Sequence, residues 1–421
     1  MYDHRLVING GKKISGEINL QGAKNSALPI LSAAVLAKGK TVLTNCPELS
    51  DIYAAGRILT HLGCTVNRNV KGELTISNSG LSENTIPDKF MREMRSSIIF
   101  LGAVLGQCGE CNLCFPGGCQ LGPRPVDLHL EALRQMGVNI IEEHGFIRCT
   151  APSGVKGARI VLQFPSVGAT ENIILAAVMA NGETEIKNAA REPEIKDLVS
   201  YLIKCGARIE GAGESSIRIY GVQSLNGCEH SVMPDRIAAA TYMSAAAVTG
   251  GNLHILNTKG LDVTQFSVFF EKMGCGVYIY DNSIYIKFRN RLRPIKSIKT
   301  MPYPGFPTDM QAIIMAALSI ADGTSVFEEN IFESRYKHVD ALNRMGADIK
   351  VYGKIAVVGG VDKLYGADVE ATDLRGGAAM VIAGLAAEGT TGICDIHHID
   401  RGYEKIDSVL SSVGADIKRI I

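Results

Sequence analysis

The sequence predicts an α/β protein of at least two domains, assembled from six copies of one structural unit. Three observations lead there. A chain of 421 residues is longer than one ordinary core supports. A short phrase, Gly-x-x-Ile/Val, recurs six times at nearly even spacing. Between its recurrences, helices that are apolar nearly all round alternate with amphipathic helices and short strands.

The phrase stands at Gly63 to Val66, Gly137 to Ile140, Gly206 to Ile209, Gly274 to Val277, Gly346 to Ile349 and Gly414 to Ile417, with spacings of 74, 69, 68, 72 and 68 between its glycines. Each copy closes an amphipathic helix and opens a strand, so the Gly sits where a left-handed C-terminal cap is wanted. Each unit begins with an all-apolar helix, such as Ile237 to Val248 or Met310 to Ala321, which must be buried on every side. A strand follows, as at Thr41 to Thr44, Thr184 to Lys187 or Ser325 to Glu328. The next helix carries a polar face, as at Leu128 to Met136 or Tyr336 to Met345, and belongs on an outer wall. A strand pair completes the unit, as at Val277 to Ile286 around Asp281-Asn282. Six such units fit a solenoid or two closed groups of three. The boundary falls at Val232-Met233-Pro234, with a crossing near Leu20 to Ala23.

Apolar residues at 46% and charged residues at 20% describe a folded chain. The 43 basic and 43 acidic side chains cancel, which removes a global electrostatic case for nucleic acid or an anionic membrane, so any anion site must be local. The first residues lack an apolar signal core and no apolar run approaches a membrane span, so a cytoplasmic protein is expected. Eleven Cys without a leader fit free thiols in a reducing compartment. Cys108, Cys111 and Cys114 have a C-x2-C-x2-C spacing, but Glu110 to Phe115 reads as a strand. Cys111 and Cys114 then point to opposite faces and cannot share a metal. No P-loop, G-x-G-x-x-G, H-E-x-x-H or G-x-S-x-G is present, and His397-His398 has no ligand neighbour at a metal spacing.

The expected helix starts collect an unusual set of residues. Inner helices begin at Lys24-Asn25, Arg95, Ser166-Val167-Gly168, Asp235-Arg236, Thr308-Asp309 and Asp373-Leu374-Arg375. Outer helices begin at Ser50-Asp51, Arg124 to Asp127, Glu192-Pro193-Glu194, Asp262, Arg335 and Asp400-Arg401. For Asp51, Asp235 and Asp262, capping of open N–H groups is a sufficient reason. Lys24, Arg95, Arg124, Arg335, Arg375 and Arg401 oppose the helix dipole, and as a set they suit a ligand with several anionic groups. Their split between the two halves of the chain predicts mutual repulsion that bound anions relieve, closing the halves on the ligand. The loop Pro116 to Pro125 places Cys119 among three Gly and three Pro, just ahead of Arg124. A thiol there is either reactive or incidental.

Five phrases carry a resemblance that runs the full length of the chain. They are Gly22-Ala23-Lys24-Asn25, Gly117-Gly118-Cys119-x-x-Gly122-x-Arg124-Pro125-Val126-Asp127-Leu128-His129, Ser166 to Thr170, Phe306 to Ala312 and His398 to Glu404. Together they resemble the UDP-N-acetylglucosamine enolpyruvyl transferase family. The resemblance implies two domains, each of three βαβαββ units in an inside-out α/β barrel with buried helices: 24–233, and 1–23 with 234–421, the active site lying in the cleft between them. It implies transfer of enolpyruvate from phosphoenolpyruvate to the 3-hydroxyl of UDP-N-acetylglucosamine by addition and elimination, the first committed step of peptidoglycan synthesis. The partners are these two small molecules only, and no metal or organic cofactor is implied. A monomer is expected.

By the same resemblance, Lys24, Arg124 and Arg401 hold the phosphate, with Arg95, Arg335 and Arg375 completing the cationic set. Cys119 is the proton donor, and the thiol that the epoxide fosfomycin alkylates. Asp309 is the base near the sugar hydroxyl, assisted by Asp373. The turn Arg124, Pro125, Val126, Asp127, Leu128 and the start Ser166, Val167, Gly168 contact uridine and diphosphate, while Asn25 and Ile331 lie against the substrate. Some members carry Lys where this chain has Ser50 and Phe164, so two cations near the nucleotide end are missing. Two other readings differ in function: an enolpyruvylshikimate-phosphate synthase, whose branch lacks the Cys119 loop and the His398 to Glu404 phrase, and an idle UDP-sugar binder, which has no use for Cys119 and Asp309.

Overall fold

The computed structural model describes residues 4–115, 126–261 and 263–420. They form two compact units, one of residues 4–21 with 234–420 and the other of 22–115 with 126–233. Each unit holds three sheets of one pattern. In the simplest copy, Arg159–Val161 lies parallel to Glu183–Lys187, with Arg159 opposite Glu185. Glu183–Lys187 pairs antiparallel with Ser216–Tyr220, and Arg208–Glu210 closes the far edge. The chain therefore runs first, second, fourth, third across the sheet. A helix covers the parallel step, because parallel neighbours need a crossover, and a tight hairpin joins the last two strands.

Three copies depart from this pattern in ways that record how the chain passes between units; in the fourth, the outer strand Ser15–Asn19 comes from the N-terminal segment and lies parallel to Asn252–Leu256. In the first, Leu225–Asn226 and Glu229–Ser231 both run parallel to Ala37–Thr44, so the outer strand comes from the end of that unit. In the last, the N-terminal strand Arg5–Asn9 is inserted between Thr390–Cys394 and Asp416–Ile420. These closures tie the two ends of each unit together.

All six repeated glycines adopt positive φ, at +103° (Gly63), +80° (Gly137), +109° (Gly206), +96° (Gly274), +93° (Gly346) and +99° (Gly414). The helix-capping role read from the repeat is realised at each one, for only Gly enters this region without crowding a Cβ.

The inner helices are Lys24–Ala33, Phe100–Cys108, Val167–Ala177, Arg236–Thr249, Thr308–Leu318 and Leu374–Ala386. They are buried around their circumference; in Arg236–Thr249 every residue through Ala247 is buried. The last three pack pairwise on one another, and Phe100–Cys108 packs on both Val167–Ala177 and Lys24–Ala33. Their Ala and Gly positions let the axes approach, while Ile30, Ile174, Ile313 and Ile382 fill the space between and are fully buried. Each such side chain contributes about 1.5–3 kcal/mol by leaving water.

Two outer-helix starts differ from expectation. Arg335 lies in a turn ahead of a short helix, Val339–Arg344, because its side chain is drawn inward. Arg401 ends a 3-10 segment, Ile396–Arg401, and the α-helix begins only at Ile406. The dipole argument therefore does not apply to either residue. No helix of the described residues is long and apolar enough to cross a membrane.

Candidate active site

In the unit of residues 4–21 and 234–420, the starts of two inner helices meet around Asp309. Asp309 is the second residue of Thr308–Leu318, and its two carboxylate oxygens face different cations. Arg335 Nη2 donates to Oδ1 at 3.1 Å, and Arg375 Nη2 donates to Oδ2 at 3.0 Å. The guanidinium groups are 2% and 4% exposed while Asp309 is 30% exposed, so the carboxylate is the accessible member of the trio. Arg335 also donates to the Thr308 carbonyl through Nε (3.3 Å) and Nη2 (3.0 Å), which is what pulls its turn inward.

Asp373 caps Leu374–Ala386 by accepting the N–H groups of Arg375 (2.9 Å) and Gly376 (3.2 Å), and lies 3.8 Å from Arg335 Nη1. Arg375 further donates to the Tyr403 hydroxyl at 3.2 Å, which shares a hydrogen with Thr241 Oγ1 at 2.9 Å. Burial works against the Arg375 charge, but Asp309 and Tyr403 outweigh it and hold the guanidinium protonated. His338 is buried beside Asp373 and Arg335. Burial is the main cause that lowers its imidazole from 6.5 to about 4, against the pull of Asp373.

Glu329, 1% exposed, accepts Thr308 Oγ1 with both oxygens at 3.1 Å and the N–H groups of Ile331 (2.9 Å) and Phe332 (3.1 Å). It fixes the backbone at Ile331. Gln21 donates to the Gly402 carbonyl at 3.0 Å and accepts the Glu404 N–H at 2.9 Å, bracing the segment after Arg401.

In the other unit, Lys24 opens an inner helix, and Gly22 before it is required by close approach, since a Cβ there would lie 1.7 Å from the Asn45 carbonyl oxygen. Lys24 Nζ pairs with Asp51 at 3.2 Å, both nearly buried. The helix carrying Asp51 is capped at Leu49 without a side-chain bond, so the capping role expected for Asp51 gives way to neutralising Lys24. Asp235 does cap, accepting from Ile237 (2.8 Å) and Ala238 (3.0 Å).

Asn172 binds three of the predicted starts together. Its Oδ1 accepts the Gly102 N–H at 2.7 Å, and its Nδ2 donates to the Ile98 carbonyl at 2.9 Å and to His129 Nδ1 at 2.7 Å. This one buried amide thus couples the 3-10 turn Arg95–Ile99, the helix Val167–Ala177 capped by Ser166, and Asp127–Gln135 with Val126 at its cap and Leu128 in its first turn. The expected sites Cys119, Arg124, Pro125 and Asp262 lie outside the described residues. Cys111 and Cys114 lie on the strand Glu110–Cys114, opposite Cys149 and Phe146, and are buried.

Asn172, Glu329, His338 and Tyr403 were not singled out by sequence reasoning. The signals were the polar run Thr170-Glu171-Asn172 inside an otherwise apolar helix and the place of Tyr403 in the His398 to Glu404 phrase.

A family model described as EPSP synthase (3-phosphoshikimate 1-carboxyvinyltransferase) matches residues 8–410. The UDP-N-acetylglucosamine 1-carboxyvinyltransferase 2 of Caldanaerobacter subterraneus subsp. tengcongensis is 49% identical over 417 residues, covering 99% of this chain and all of that one. That of Trichlorobacter lovleyi is 47% identical over 421 residues, covering 99% of each. The chain belongs to the UDP-N-acetylglucosamine 1-carboxyvinyltransferase family. The fold of these carboxyvinyltransferases is shared beyond it. The enolpyruvyl transferase NikO from Streptomyces tendae superposes with a TM-score of 0.90 at 23% identity, covering 100% of this chain and 99% of that one. An EPSP synthase from Acinetobacter baumannii superposes at 0.77 and 22% identity, covering 99% of each. A two-domain α/β fold is common to them.

Proposed function

We propose that this protein transfers the enolpyruvyl group of phosphoenolpyruvate to the 3-hydroxyl of UDP-N-acetylglucosamine and releases phosphate, acting in the cytoplasm at the first committed step of peptidoglycan synthesis. The observation that carries the reading is the near-complete alignment, at 49% identity, to a relative named for that transfer. The reaction adds a proton to the enolpyruvyl methylene, bonds the sugar oxygen to the adjacent carbon, then loses a methyl proton as the carbon–phosphate oxygen bond breaks.

Asp309 is the group we assign to accept the hydroxyl proton. Its two buried arginines orient the carboxylate, and its partial exposure leaves it open to substrate. Asp373 assists by holding Arg335 and Arg375 in register. Lys24, Arg124 and Arg401 hold the phosphate and Cys119 delivers the proton. Arg95, Arg335 and Arg375 complete the cationic set, while Asn25, Val126 to Leu128, Ser166 to Gly168 and Ile331 hold the nucleotide sugar. The protein acts as a monomer, without metal or organic cofactor.

A phosphate-release assay with phosphoenolpyruvate tests the reading by comparing acceptors. Release with UDP-N-acetylglucosamine and none with shikimate 3-phosphate is the expected result. The reverse would transfer the assignment to the shikimate branch, and release with neither would leave a binding protein.

A further inference from the structure

We infer that Asp197 is a positioning residue for the Lys24–Asn25 turn, holding the backbone on both sides of Lys24 so that its ammonium stays aimed at the phosphate of phosphoenolpyruvate. The inference rests on the phosphate role assigned above to Lys24.

The inner helix that Lys24 opens has Ala23 at its cap, with no side chain to satisfy the first N–H groups. Its first turn is held from elsewhere. Ser26, fully buried, donates its hydroxyl to Asp197 Oδ2 at 2.5 Å, and the Met233 N–H donates to the same oxygen at 3.0 Å. Met233 in turn accepts the Ala23 N–H through its carbonyl at 2.8 Å. One carboxylate oxygen thus reaches the chain before Lys24 through Met233 and after it through Ser26.

The other oxygen, Oδ1, lies 2.9 Å from His230 Nε2. His230 Nδ1 lies 3.2 Å from Lys204 Nζ, and an ammonium can only donate, so Nδ1 accepts and Nε2 carries the hydrogen toward Asp197. Asp197 therefore accepts three hydrogen bonds with its side chain 12% exposed, and His230 fixes its orientation from behind. Lys24 Nζ itself pairs with Asp51. The relay sets where the Lys24 backbone lies, and Asp51 sets where its side chain points. A displacement of about 1 Å in such a group is enough to cost roughly a hundredfold in rate.

The test is steady-state kinetics on Asp197→Asn, Ser26→Ala, His230→Gln and Lys24→Ala. A carboxamide offers one acceptor where the carboxylate offers two, so Asp197→Asn can keep Ser26 and Met233 or His230, but not both. We expect kcat/KM for phosphoenolpyruvate to fall by roughly 10–100-fold, mainly through KM, with KM for UDP-N-acetylglucosamine nearly unchanged. Ser26→Ala should show the same split to a smaller extent and decides the matter if Asp197→Asn does not fold. His230→Gln keeps a donor toward Asp197 and should remain close to the parent. Equal changes in both KM values, or a Ser26→Ala enzyme with the parent KM for phosphoenolpyruvate, would overturn the positioning role. A Lys24→Ala enzyme with unchanged kinetics would instead overturn the phosphate assignment, which separates the two failures.

Discussion

Asp309 carries two duties at once. As the proposed base it would be needed for turnover, and as the shared partner of two buried arginines it is needed for stability. Asp309→Asn should lower turnover by roughly 10²–10⁴, the range of a lost general base. From sequence, little change in melting temperature is expected for this variant. With Arg335 and Arg375 buried against the carboxylate, an amide leaves charge uncompensated, and the midpoint should fall by an amount matching about 3–5 kcal/mol. Thermal scans beside initial rates measure both, and an unchanged midpoint would mean the arginines find another partner. His338 makes a second prediction. Its folded value lies below the unfolded 6.5, so its stabilisation is complete above that pH and is lost as pH falls toward about 4. Urea titrations across this window should show stability falling more steeply in the parent than in His338→Gln, by up to about 1.4 kcal/mol per pH unit.

At the scale of elements, the six glycines give the cleanest test, because they end six helices in one conformation. Gly206 has φ +109° and nothing within 4 Å of an added Cβ, so Gly206→Ala is strained by backbone conformation alone. We expect a loss of about 1–2 kcal/mol in urea unfolding, with kcat unaltered. A neutral result would mean that the loop relaxes to negative φ. The helices themselves were legible because burial on all sides leaves an uninterrupted apolar run and burial on one side leaves a stripe. The start at Arg335 was not legible, since a side chain that turns inward to a carbonyl and a carboxylate leaves no periodic trace, and at Arg401 a 3-10 segment stands in place of the expected helix start.

For the whole molecule, the distribution of charge and of thiols matters more than their totals. Lys24 is matched by Asp51, and Arg335 and Arg375 by Asp309 and Asp373, each within its own unit. The expectation that unneutralised cations drive the halves apart loses its basis for these three. Burial raises the thiols of Cys64 (to about 11), Cys149, Cys205 and Cys275 (each to about 12), and also those of Cys108, Cys111 and Cys114. Few thiolates are then available near neutral pH. An epoxide or iodoacetamide should label Cys119 first, faster as pH rises, with exposed Cys108 and partly exposed Cys228 and Cys394 as the competitors. Peptide mapping after limited labelling checks this, and prior modification of any of these three would overturn it. Cys119→Asp should stay active and resist the epoxide, since a carboxylic acid still donates a proton but is a poor nucleophile.

The sequence by itself determined the repeat, the inner and outer helices, the strand pairs and the family. Each of these is written in local periodicity or in contiguous phrases, where a residue's neighbours along the chain report its surroundings. Only the tertiary structure decided which charged groups face one another. Arg335 lies 26 residues from Asp309, Arg375 lies 66 away, and Ser26 reaches Asp197 across 171. Such pairs depend on how one repeat packs against the next, and the choice among several carboxylates is made by distance and burial after packing. A cationic side chain at a helix start was therefore visible in the sequence, whereas the carboxylate that neutralises it was not.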